Sequence, residues 1–60
     1  MKVSELKRKL KNAGCTLKRH GKKHDQWVNP NTGATGYVPR HDSHEIPTGT
    51  ADKILESLLG

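Results

Sequence analysis

The segment Gly21-Lys22-Lys23-His24-Asp25-Gln26-Trp27 sets one histidine just past a glycine turn, directly after the most basic part of the chain. A histidine moves a proton near neutral pH, and a lysine-rich surface attracts phosphate. That pairing suits the cutting of a ribonucleic-acid backbone, a reaction that needs no cofactor. A base takes the proton from a ribose 2′-hydroxyl, the oxygen attacks the adjacent phosphorus, and an acid protonates the leaving 5′-oxygen. His24 can take either proton-transfer role. Lys22 and Lys23 can stabilise the charge that builds on the phosphoryl oxygens. The same pattern also fits a surface histidine with no chemical part.

Further candidates surround this segment. Lys18 and Arg19 precede the turn and Arg40 follows the third predicted strand; with Lys22 and Lys23 they are the candidate contacts to a nucleic-acid backbone. Aromatic side chains that stack on bases are few, Trp27 and Tyr37, so Tyr37 is a candidate stacking or hydrogen-bonding residue and equally a cross-strand packing residue. His20 stands across the turn from His24, either as a second acid or base or as a plain strand residue. His41 and His44 form one loose pair, whereas a structural zinc site normally shows two clusters of paired ligands, so no metal is expected. Cys15, after a helix-ending glycine, reads as a small semi-buried hydrophobe. No phosphate-cradling glycine loop and no Ser/His/Asp set is present.

The elements that must hold these residues follow from spacing. Val3, Leu6, Leu10 and Ala13 make one helical stripe, capped near Ser4 and ended at Gly14, with Lys7, Arg8, Lys9 and Lys11 mostly off the stripe. Strands are predicted over 16–20, 24–29 and 34–38. Asn29-Pro30-Asn31-Thr32-Gly33 is strong turn chemistry and makes the last two a hairpin. A polar loop over 40–49 leads to a second helix, capped by Thr48 or Thr50, with Ala51, Ile54, Leu55, Leu58 and Leu59 as its apolar face. The expected class is α+β, in the order α-β-β-β-α, with both helices on one face of a three-stranded antiparallel sheet. Side chains alternate across a strand. If Trp27 turns toward the helices with Leu17 and Val38, His24 must turn to the open face, and Tyr37 with it.

Composition narrows the function. Sixty residues make a single domain over 1–60, with 30% hydrophobic content and so a thin core. An interior cofactor pocket would compete for the same few side chains, so a surface site and no small-molecule cofactor are expected. Residues 1–23 hold nine Lys/Arg against Glu5, a balance of +8; residues 24–60 hold two against five acids, −3; together these give the net +5. This polarity favours a polyanion. A lipid surface is disfavoured because the basic helix lacks a bulky aromatic face. One cysteine fits a reducing compartment. No run approaches the ~20 apolar residues of a membrane span, so a cytoplasmic location is the expectation.

The order of these features resembles the HicA toxin family, small mRNA interferases of bacterial and archaeal toxin–antitoxin pairs. The likeness covers nearly the whole chain: Met1-Lys2-Val3-Ser4-Glu5-Leu6 and the helix to Gly14, Gly21-x-x-His24 with an aromatic at Trp27, the turn ending at Gly33, Val38-Pro39-Arg40-His41, then Glu45-Ile46-Pro47, Gly49-Thr50 and the Lys53-Ile54-Leu55 helix. The resemblance implies a double-stranded-RNA-binding-domain-like fold, metal-independent cleavage of mRNA by the toxin of a type II system, and neutralisation by a HicB-type antitoxin. It maps the family's essential histidine onto His24. Where the family commonly carries Ser after the turn glycine, this chain has Lys22, a cation in place of a hydroxyl. Two other readings stand beside it. One is a non-catalytic RNA-binding module of the same fold. The other is a structural subunit that binds an acidic protein.

Overall fold

The computed structural model describes every residue from Met1 to Gly60. Helix α1 spans Val3–Asn12, and its Val3, Leu6 and Leu10 are fully buried. Each such side chain contributes roughly 1.5–3 kcal/mol by leaving water. Ala13, expected to extend this stripe, is instead exposed: it is the C-cap, where the helical turn has ended. Gly14 follows at φ +94°. Its amide bonds to the Lys11 carbonyl at 3.0 Å, and the Cys15 amide to Leu10 at 2.9 Å. This is the Schellman pattern, which satisfies the last carbonyls and here places buried Cys15 against the helix end.

The strands are β1 (Thr16–Arg19), β2 (His24–Val28) and β3 (Thr35–Pro39), in the order β1-β2-β3, with both pairings antiparallel. Helix α2 spans Thr48–Leu59. Both helices pack on the sheet and on each other, and residues from α1, β2, β3 and α2 share one core of nine side chains. Trp27 and Val38 lie in that core, as their parity predicts. Leu17 does not; it is 42% exposed. The register between β1 and β2 slips after Leu17, so that Leu17 faces Trp27 and Arg19 faces Gln26. That is a β-bulge at Lys18, at the edge of the sheet where bulges concentrate. It also moves Arg19 off the face of Leu17, where simple alternation placed it.

Neither helix start is capped by its own hydroxyl residue. Pro47 precedes α2, with Thr48 and Thr50 inside the helix. At α1 the Val3 and Ser4 amides donate to the His44 and Asp42 carbonyls, each at 3.0 Å. The 40–49 loop therefore supplies the acceptors that the orphan amides require. Lys7 strengthens the same junction, donating to Asp42 Oδ1 at 2.7 Å and to the Arg40 carbonyl at 3.2 Å. Lys7 is thus withdrawn from the free basic face to which spacing assigned it. The loop is not wholly polar either, because Ile46 is buried. On α2, Ala51 and Leu58 are buried, Ile54 and Leu55 half-buried, and Leu59 exposed, so the apolar face is narrower than its sequence. Asn29 ties the hairpin to α2, its Nδ2 donating to the Leu58 carbonyl at 2.9 Å.

Candidate functional site

Asp25, Trp27 and Asn29 alternate onto the helix-covered face of β2, and all three are buried. His24 and Gln26 consequently emerge on the open face, where His24 pairs with Pro39 and Gln26 with Tyr37. Tyr37 is 65% exposed. The turn before His24 is tight. A Cβ at Gly21 would fall on the His24 carbonyl oxygen, so only glycine lets the chain reverse here.

Two cation-lined grooves meet at His24, beside a third bounded by Tyr37, Pro39, Thr50 and Ile54. One is bounded by Arg19, His20, Gly21, Gln26 and Tyr37. The other is bounded by Lys22, Lys23, Arg40, His41 and His44. The bulge at Lys18 is what brings Arg19 to the first groove, while Lys18 itself lines neither. Of the residues singled out in the sequence, Arg19, Lys22, Lys23, Tyr37 and Arg40 therefore gather around His24, and Lys18 stands apart. His41 and His44 lie in the second groove, but no three side chains of metal-ligating type converge. Cys15 is buried, and burial pushes its thiol above the ordinary value, which disfavours the reactive thiolate.

Asp25 is the functional-looking residue that the sequence reading passed over. Its Oδ1 lies 3.1 Å from His20 Nδ1 and 3.3 Å from Arg40 Nε. Arg40 in turn donates from Nη1 to the Lys22 carbonyl at 3.4 Å, so one buried carboxylate organises the β1–β2 turn and the end of β3 together. Burial by itself raises the Asp25 carboxyl. The hydrogen bond and charge of His20, the charge of Arg40 and a backbone hydrogen bond from Gly21 outweigh it and hold the group below the usual carboxylate range. An ionised carboxylate only accepts, so His20 Nδ1 carries the hydrogen and its Nε2 is left free. The signal was available: parity had already put an acid on the buried face, and a buried charge needs partners.

The α-β-β-β-α order, with two helices on one face and cations rimming the other, defines a small α+β domain of the double-stranded-RNA-binding-domain-like class. A family model described as HicA toxin of bacterial toxin-antitoxin matches residues 3–58, and the chain belongs to that family. Comparison with curated proteins gives no match, and comparison with solved structures gives none either. Membership makes the protein a toxin of a toxin–antitoxin pair, with an antitoxin as its partner. No helix is long and apolar enough to cross a membrane.

Proposed function

We propose that this toxin is a metal-independent endoribonuclease that cleaves mRNA in the cytoplasm, with His24 as general acid or base, and that a HicB-type antitoxin of a type II system neutralises it. The observation that carries the reading is the placement of His24. Burial of Trp27 on one side of β2 leaves His24 exposed on the other, at the junction of two grooves rimmed by Arg19, Lys22, Lys23 and Arg40. Those cations suit a scissile phosphate, and Tyr37 offers an exposed ring against which a base can stack. Lys22 adds one more phosphate-binding charge beside His24. The open face is also the simplest place for an antitoxin to act, since covering it blocks RNA entry.

Incubation of the purified protein with mixed-sequence RNA in excess chelator tests the reading. The expected products carry 2′,3′-cyclic phosphate and 5′-hydroxyl ends, the signature of attack by the neighbouring 2′-oxygen. Intact RNA that nevertheless binds in a salt-sensitive way would instead identify a non-catalytic RNA-binding module.

A further inference from the structure

A ribonuclease of this kind needs two proton transfers, one at the attacking oxygen and one at the leaving oxygen, and His24 can serve only one of them in a single step. We propose that His20, oriented by the buried carboxylate of Asp25, is the general acid that protonates the leaving 5′-oxygen, while His24 is the base. The assignment rests on the ribonuclease reading and completes its mechanism.

Three observations carry it. His20 and His24 border the same groove, of about 380 Å³ and so on the scale of small-ligand clefts. They flank the Gly21 turn, one leaving β1 and one entering β2, so both imidazoles border the space that a phosphate would occupy. His20 is also tethered while remaining accessible: its side chain is 65% exposed, and Nδ1 is bound to Asp25 Oδ1 at 3.1 Å. Nε2 is therefore the nitrogen that can meet a substrate. Finally, only one of the two histidines has a carboxylate. His24 has no such partner, so the two imidazoles are held differently.

The surroundings leave Asp25 as the counter-charge that acts directly on His20. Lys7 and Lys11 from α1, Arg19 from β1, His24 from β2, and Arg40 and His41 after β3 all border the grooves around it. Asp42, the other nearby acid, is engaged by Lys7 at 2.7 Å.

In the step itself, the 2′-hydroxyl proton passes to His24 and the 2′-oxygen–phosphorus bond forms. The phosphorus–5′-oxygen bond breaks, and the Nε2 proton of His20 moves to the departing oxygen. The products are a cyclic phosphate and a 5′-hydroxyl, with no net gain or loss of electrons. His20 ends neutral, its Nδ1–H still on Asp25, and exchange with water restores both histidines.

The test uses two oligonucleotides, each with a single ribose at a site that the native protein is first shown to cut. They differ only in the leaving atom, oxygen or sulfur. A sulfur leaving group departs without a proton. His20→Ala, at an exposed position, is expected to lose about 10²-fold or more in single-turnover rate on the oxygen substrate, and most of that loss is expected to vanish on the sulfur substrate. Asp25→Asn should show the same split in weaker form, which loss of structure alone would not produce. His24→Ala should be slow on both. Native rates for His20→Ala on the oxygen substrate, or equal losses on both substrates, would overturn the assignment while His24-dependent cleavage still stood. Failure of the native protein to cut any RNA would remove the ribonuclease reading, and the assignment with it.

Discussion

At the scale of single residues, the decisive feature is an acid on the face that the helices cover. Asp25 is buried, yet His20, Arg40 and the Gly21 amide together hold its carboxyl below the ordinary range. A group whose folded value is depressed contributes stability above its unfolded value, here near 3.8, and loses it as pH falls through the folded value. Asp42 is displaced in the same direction, first by its hydrogen bond from Lys7 and then by the charge of Lys7; burial opposes these, and the charge of Lys11 adds least. The protein should therefore become less resistant to urea as the solution is acidified from about pH 6 through the carboxylate range. Asp25→Asn should flatten part of that dependence, because the amide cannot ionise. Urea midpoints measured across this range for both proteins check it, and parallel curves would show that Asp25 does not couple to folding.

At the scale of elements, the Gly21 turn sets the distance between the end of β1 and His24. Since a Cβ at Gly21 would meet the His24 backbone, Gly21→Ala must open this turn. The expected outcome is a large fall in RNA cleavage with the tryptophan emission of buried Trp27 retained, measured on the same sample. Trp27→Ala should behave differently, losing about 3–5 kcal/mol of stability as a large core side chain is deleted, which a denaturant titration would read. Much of this level was legible in the sequence. Glycine and proline punctuation and two periodicities gave the five elements in order, and the burial demand of Trp27 turned His24 outward. What escaped was the bulge. Alternation is a local rule, and nothing in Thr16-Leu17-Lys18-Arg19 announces an extra residue, because register is set by the partner strand. One unpaired position therefore carried Arg19 to the face of the groove, while Leu17, still in register with Trp27, is exposed because β1 is an edge strand. Side-chain caps were misplaced for a similar reason. Ser4 was the local candidate, but the acceptors came from His44 and Asp42, about forty residues away in sequence. The partnership of His20, Asp25 and Arg40 is likewise tertiary, and only the presence of an acid on the buried parity hinted at it.

At the scale of the whole molecule, a thin core and a one-sided charge set how the toxin meets its partners. RNA held by the cations around His24 should bind less tightly as salt rises, with a slope of about −0.7 in log K per phosphate contacted on a single strand. Replacing Lys22 and Lys23 by alanine should make that slope shallower by about 1.4, two such contacts, as read by binding titrations at several salt concentrations. A domain this small is marginal alone, so an antitoxin that binds only the folded form adds stability, about 2.7 kcal/mol at a hundred times its Kd. Thermal melts of toxin alone and of the complex should show that rise. The cleavage expectations rest on an open face that cuts RNA and on His24 carrying one of the two proton transfers. The most direct measurement compares the RNA cleavage rate of the native protein with that of His24→Gln, after circular dichroism has shown the fold to be unchanged. The account predicts a loss of about 10²–10⁴-fold, the usual worth of a positioned acid or base; cleavage by His24→Gln at the native rate would contradict it.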